Sequence, residues 1–393
     1  MLNMPSHERI DSEEIRGLRE TLRRFIDREM SRECAAQWDR DNHFPRDVFR
    51  KLADLGVLGL TIPEEYGGVG RDILATMIVI EELSRRSLAV AIPYINSACY
   101  AGMNILECGT EAQRQEILPR VVDGSMIFAY GWTEPDVGSD LASMKTRAHR
   151  EGANIVVNGA KRFCTGAREA NYIYTLVRSG PESERYRNLT LLLIPSNYPG
   201  VSITTIDALG LKGFSTCDVV FEDVVLPEDA IVGGPDGWNK AWNKVAGPGL
   251  DVEKLEVAAM AVGVAQAALE DAWQYADERR QFGKPISSFQ SIQHKLADMK
   301  TQLHASRLML YQAAILANDG HECRGETSMA KLFATESCKA IALKCQTILG
   351  AYGYVKEYDV QRYVRDALGL PIIGGSSAIQ RNNIYKWLRR ERS

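Results

Sequence analysis

A mainly α-helical chain with a small β domain at its centre is what this 393-residue sequence predicts, and three observations carry the prediction. Apolar residues recur at helical spacing before about residue 125 and again after about 250. Runs of β-branched and aliphatic residues cluster between those limits. No helices separate the runs, which excludes the alternation of a doubly wound sheet. The length suits two or three packed units. The divisions fall at 1–125, a helical domain; 126–236, a small β domain resembling a barrel; and 237–393, a four-helix bundle.

In the first unit, Asp11 or Ser12 can cap a helix with Glu13 and Glu14 in its first turn, and Ile15, Leu18, Leu22, Ile26 and Met30 form its apolar stripe. A second helix is expected over 46–55, stopped at Gly56, and periodicity resumes from Ile73 and runs to about Asp123. In the second unit, Ile155-Val156-Val157-Asn158-Gly159 places an Asn-Gly pair after a β-branched run, the signal of a hairpin. Strands are expected at 172–177, 189–194, 219–221 and 224–226. In the third unit, Phe289, Ile292, Leu296, Met299 and Leu303 step by three and four, and an Ala-rich run over 258–268 permits close helix contact.

Composition removes several function classes. Hydrophobic residues make up 45% and charged residues 25%, so the chain is globular. Lys plus Arg number 47 against 51 Asp plus Glu, a net charge of -4, and no basic excess exists to neutralise a phosphate backbone. Aliphatic stretches such as Leu191-Leu192-Leu193-Ile194 are far shorter than a membrane span requires, and the first residues lack the apolar core of a signal peptide. A cytoplasmic protein without nucleic-acid or membrane partners is expected. The eight cysteines are scattered, with no Cys-x-x-Cys pair and no His at ligand spacing, so no disulfide framework or metal site is expected.

Three segments carry chemistry-bearing residues. Tyr130-Gly131-Trp132-Thr133-Glu134-Pro135-Asp136-Val137-Gly138-Ser139-Asp140 is rich in hydroxyls and exposed backbone donors. Glu278-Arg279-Arg280-Gln281-Phe282-Gly283-Lys284 ends a helix with two cations. Gln346-Thr347-Ile348-Leu349-Gly350-Ala351-Tyr352-Gly353-Tyr354 precedes Arg365-Asp366. Singly, they read as a loop, a helix end whose Arg residues offset the dipole, and a close helix crossing.

Together and in this order they resemble the acyl-CoA dehydrogenase family over essentially the whole chain. The carrying residues are Thr133-Glu134-Pro135 with Gly138-Ser139-Asp140, Arg279 with Phe282-Gly283-Lys284, and Leu349-Gly350-Ala351-Tyr352-Gly353 followed by Arg365-Asp366 and Ile379-Gln380. The run from Leu60 to Gly68 is also family-like. The resemblance implies FAD between the β domain and the bundle, and an acyl-CoA thioester stacked on the flavin. It implies electrons passed to an electron-transfer flavoprotein, and a homotetramer sharing FAD across subunits.

Carried over by residue, Tyr130, Thr133, Gly138 and Ser139 would line the flavin and thioester region. Phe163 and Thr165 fall where the family usually has Trp-x-Thr beside the isoalloxazine. Phe for Trp keeps an aromatic face but loses an N–H donor. Arg279 and Phe282 would reach a neighbouring subunit's FAD, Gln346 and Gly350 would meet its adenine end, and Ser376 takes the place of a cofactor-contacting Thr. Ser139, Asp251, Lys254, Gly374 and Gly375 are implied at the substrate.

The sequence departs from the family at the base. Most relatives carry a Glu where Ile373-Gly374-Gly375-Ser376-Ser377 has Gly374, which cannot accept a proton. Gly249-Leu250-Asp251-Val252-Glu253-Lys254-Leu255 instead resembles the isovaleryl-CoA and long-chain dehydrogenases, and the crotonobetainyl-CoA reductase subgroup, whose Glu stands on a bundle helix. Glu253 is therefore the implied catalytic base. Glu256, on nearly the same face, reads as a surface or bundle-contact residue. The implied reaction is α,β-dehydrogenation of an acyl-CoA. A desulfinase or lyase without net oxidation, an oxygen-using flavin oxidase, and a silent partner subunit are the alternatives. Gly247, Gly249, Gly374 and Gly375 would leave room near the reacting carbons, and Tyr94-Ile95-Asn96-Ser97 would line the acyl end. Met260 and Trp273 read as bundle core.

Overall fold

Ser12 opens the first long helix: its hydroxyl accepts from the Ile15 amide at 3.3 Å, and Glu13–Glu29 then buries Ile15, Leu22, Phe25 and Ile26. The computed structural model describes residues 7–10, 12–242 and 248–391, so Asp11, the other capping candidate, lies outside the described residues. The helix expected over 46–55 is shorter, Arg46–Arg50. It passes into a 3-10 turn, Ala53–Leu55, that Gly56 ends at φ 69°.

Helix Ile73–Arg86 is capped by Asp72, which accepts from the Ala75 amide at 2.8 Å, and it is buried from Ile73 through Ser84. It packs on the Ala-rich face of helix Pro248–Glu278. There a Cβ on Gly263 would fall 2.3 Å from the Glu81 carbonyl oxygen, so only glycine permits the approach. The expected continuous periodicity to Asp123 is broken instead into Leu88–Tyr94, a π-helical turn Ile95–Ala101, Gly102–Cys108 and Glu111–Val122. Pro93 explains the first break: it has no N–H to give, and the backbone widens after it.

Seven strands form one sheet: β1 Phe128–Gly131, β2 Arg147–Glu151, β3 Asn154–Thr165, β4 Tyr172–Arg178, β5 Leu189–Pro195, β6 Val201–Thr205 and β7 Thr216–Pro227. Their order is β1-β4-β2-β3-β7-β6, with β5 on β4. Most pairs are antiparallel, but β1 and β2 run parallel to β4. The Asn158-Gly159 pair is not a hairpin turn. β3 runs straight through it, and the β2–β3 reversal comes earlier, with Gly152 at φ 61°. Asn158 and Gly159 instead sit at a register shift, where the Asn158 side chain donates to Asp223 Oδ1 and accepts from the Asp223 amide.

A Cβ on Gly159 would lie 2.6 Å from the Cα and Oγ1 of Thr146, and φ is 147°. Gly159→Ala is therefore expected to destabilise the protein by about 1–3 kcal/mol, read as a fall in thermal midpoint.

Helices Pro248–Glu278, Gln290–Asn318 and Arg324–Leu349 form the long members of the C-terminal bundle, with Val360–Gly369 and Ser377–Glu391 packed against them. Leu296, Met299 and Leu303 are buried, as the stripe requires. Met260 is core, whereas Trp273 is exposed rather than core, because it projects from the outer face of its helix. Among the described residues, no helix is long and apolar enough to cross a membrane.

Candidate active site

The first turns of helix Pro248–Glu278 place Asp251, Glu253, Lys254 and Glu256 within two turns of each other. Lys254 donates to Asp251 Oδ1 at 2.7 Å and is buried, so the two residues expected at the substrate are paired with each other. Glu253, one step round the helix, is half-buried. Burial pushes its carboxyl up to about 7, against the opposing pull of the Lys254 and Lys331 ammoniums.

The turn at 373–376 faces that carboxyl. Gly374 has φ 57° and Gly375 φ 76°, backbone that side chains rarely adopt. The turn is held by Lys331, which donates to the Gly375 carbonyl at 2.8 Å, and by the Gln380 amide, which donates to the carbonyls of Gly375 and Gly374 at 2.9 and 3.3 Å. A Cβ on Gly374 would point at Val257 Cγ2, 2.8 Å away, and stand 3.9 Å from Glu253 Oε1. A side chain at 374 would thus grow into the space where Glu253 already has its carboxyl. Ser376 caps the last helix by accepting from the Ile379 amide at 3.4 Å, a local role beside any contact with a cofactor.

On the β domain, Tyr130 at the end of β1 donates through its hydroxyl to the Asn96 carbonyl at 3.0 Å. The Asn96 amide in turn donates to the carbonyls of Phe128 and Thr165, and Ser97 Oγ accepts from the Phe128 amide. The π-helical turn is thereby pinned to β1 and to the end of β3. Thr165 is half-buried, its hydroxyl 3.4 Å from that of Thr216. Phe163 is 56% exposed at φ 61°, its ring flanked by the Arg162 guanidinium at 5.1 Å. Gly138 and Ser139 are exposed, and a Cβ on Gly138 would meet nothing within 4 Å. Glu134 belongs to the scaffold: it is paired with buried Lys161 at 2.9 Å and accepts from the amides of Lys145 and Thr146.

In the C-terminal domain, Arg279 lies over the Tyr352 ring at 5.7 Å, and no carboxylate pairs with it among the described residues. Phe282 is 92% exposed at φ 52°. Gln346 donates to the Gly353 carbonyl at 3.2 Å, and a Cβ on Gly350, at φ 62°, would meet open space. These residues fit FAD: an exposed aromatic face beside a hydroxyl suits a flavin ring, and an exposed guanidinium free of carboxylates suits a pyrophosphate. The two sets stand on different domains. Gly247 lies outside the described residues.

Glu256 is not the surface residue that one of its two readings expected; it is buried on the bundle helix. It is 1% exposed, and neither carboxyl oxygen has a hydrogen-bond partner among the described residues. Burial pushes its carboxyl well above the usual carboxylate range, and Glu253 adds to the shift. Its helical spacing from Glu253 was the available signal. Neither Lys331 nor Lys161 was expected at the site, because a lone Lys carries no spacing signal of its own. Among the described residues there is no cluster of three groups suited to a metal ion.

Family models cover nearly the whole chain: the acyl-CoA dehydrogenase N-terminal domain matches residues 12–125, the middle domain 129–224 and the C-terminal domain 241–389. An acyl-CoA dehydrogenase of Bacillus subtilis is 36% identical over 374 residues, 94% of this chain and 97% of that one. The caffeyl-CoA reductase-Etf complex subunit CarC of Acetobacterium woodii is 36% identical, over 94% of this chain and 96% of that one. The solved butyryl-CoA dehydrogenase of Megasphaera elsdenii superposes with a TM-score of 0.90 at 30% identity, covering 95% of this chain and 97% of that one. With three domains matched in order and the fold reproduced along its length, this chain belongs to the acyl-CoA dehydrogenase family of FAD-dependent oxidoreductases.

Proposed function

We propose that the protein removes hydrogen across the α and β carbons of an acyl-CoA thioester with Glu253 as the base, in the manner of the subgroup that carries this carboxylate on a bundle helix. One observation carries the assignment: the Cβ direction of Gly374 ends 3.9 Å from Glu253 Oε1, so the missing family carboxylate and the one present address the same space. Bound FAD would supply the hydride acceptor. Tyr130, Thr133, Gly138, Ser139, Phe163 and Thr165 would hold the flavin ring, and Arg279, Phe282, Gln346 and Gly350 would reach a second copy's cofactor. Glu253 takes the α proton, and its raised carboxyl, near 7, is matched to that work at neutral pH. Lys331 and Gln380 fix the turn opposite, which keeps the space free of side chain. Asp251, Lys254 and Gly375 border the substrate.

The exposed rings of Phe282, Tyr352 and Tyr354 support a homotetramer, since they leave apolar surface for another copy to cover. An electron-transfer flavoprotein is the proposed acceptor, supported by the relative that belongs to a reductase-Etf complex. Anaerobic mixing of the holoenzyme with acyl-CoAs is expected to bleach the oxidised flavin, and electron-transfer flavoprotein to restore it. Peroxide as the main reduced product in air would assign the chain to the oxidases. Turnover with no bleaching and no net oxidation would assign it to the lyases.

A further inference from the structure

Glu256 is a free carboxyl sealed inside the protein, an arrangement that costs stability unless a ligand completes it. It follows Glu253 by three residues, about 4.5 Å further along the same helix. An ionised Glu256 would oppose ionisation of Tyr94, Cys99, Tyr100 and Tyr130, so it lies near the segment 94–100 and β1. Two of these hydroxyls are committed elsewhere: Tyr94 donates to the Val57 carbonyl at 3.0 Å and Tyr130 to the Asn96 carbonyl. Trp132 Nε1 is a second buried polar atom without a partner among the described residues, and its ring lies 5.6 Å from Tyr100 and 6.1 Å from Tyr130. An acid and a donor, both unsatisfied, therefore border one pair of tyrosines at the wall beyond Glu253.

We propose that Glu256 is the specificity-determining residue of the acyl pocket, hydrogen-bonding a hydroxyl carried by the substrate's acyl chain beyond the β carbon. The proposal rests on the reading of Glu253 as the base at the α carbon. A plain alkyl chain would leave the carboxyl unpartnered, so a hydrocarbon substrate gives no reason for it. A substrate carboxylate would add a third acid beside Glu253 and Glu256. A neutral carboxylic acid both donates and accepts, and a hydroxyl does the same. No ion pair to Glu256 occurs among the described residues, and burial with Glu253 beside it disfavours the charged form.

The test measures kcat/KM for the holoenzyme with straight-chain acyl-CoAs and with the same chains bearing one hydroxyl at successive positions beyond the β carbon. Wild type is expected to favour one hydroxylated position by about 10–100-fold, the worth of a buried hydrogen bond. Glu256→Gln, which still donates and accepts, should keep most of that preference, and Glu256→Leu should invert it in favour of the plain chain. Flavin content of each variant reports folding. Wild type preferring plain chains at every length, or Glu256→Leu keeping the wild-type order, overturns the proposal while leaving the dehydrogenation itself in place. Should no acyl-CoA bleach the wild-type flavin, the function and this proposal fall together.

Discussion

Glu253→Gln is expected to keep FAD and to slow acyl-CoA-driven flavin bleaching by about 10²–10⁴-fold, the usual worth of a positioned base. Gln is close to isosteric with Glu, so packing against Val257 and the glycine turn is preserved while the proton acceptor is lost. Among the described residues no other carboxylate is set to replace it: Gly374 has no side chain, Asp251 is paired with Lys254, and Glu256 is disfavoured as an anion. Stopped-flow bleaching with a good substrate checks the effect, and an unchanged flavin spectrum before mixing checks the cofactor. Bleaching at the wild-type rate would remove Glu253 from the chemistry.

The same carboxyl sets a pH dependence. As a base it works only when ionised, and burial has moved its midpoint up to about 7. In the free enzyme kcat/KM should therefore rise with pH through about 7 and level off above it. On the acid side it should fall about tenfold per unit. The Glu256 carboxyl is pushed higher still, by burial and by Glu253, so it is uncharged while Glu253 ionises. Glu256→Leu is therefore expected to leave the midpoint in place.

Which of these features the sequence displayed follows from their range. Helix positions came from local signals: Ser12 as a cap, the Leu296–Leu303 stripe, and the Ala-rich run that lets Gly263 meet the Glu81 carbonyl. Asn158-Gly159 misled because an Asn-Gly pair serves a bulge as readily as a turn; the long-range contact with Thr146 decides between them. Pro93 is a local signal that the expected run to Asp123 passed over. Glu253 was visible through a motif, but its relation to Gly374 depends on two segments about 120 residues apart in sequence. The burial of Glu256 depends on the π-helical turn and β1 packing over it, which no local pattern announces.

Lys161→Met carries the largest expected loss of stability. The Lys161 ammonium is fully buried and donates to Glu134 Oε1 at 2.9 Å, with the Trp132 carbonyl at 3.3 Å. Burial alone would raise the Glu134 carboxyl, but Lys161 and the backbone amides outweigh it and hold it below the ordinary value. The substitution leaves that carboxylate without its counter-ion, at a cost of about 3–5 kcal/mol. The strain falls on the segment from Thr133 to Thr146, which carries Gly138 and Ser139, so FAD should be released at lower temperature than in wild type. Thermal unfolding followed by flavin fluorescence reads both effects. Lys161→Met with Glu134→Leu, which removes both charges, should recover much of the loss, since a buried pair replaced whole is far less costly than one halved. Because the Glu134 carboxyl is depressed in the folded state, its contribution is present above the unfolded-state pKa and fades as pH falls through the folded one, so wild type should lose its advantage over the double variant in acid.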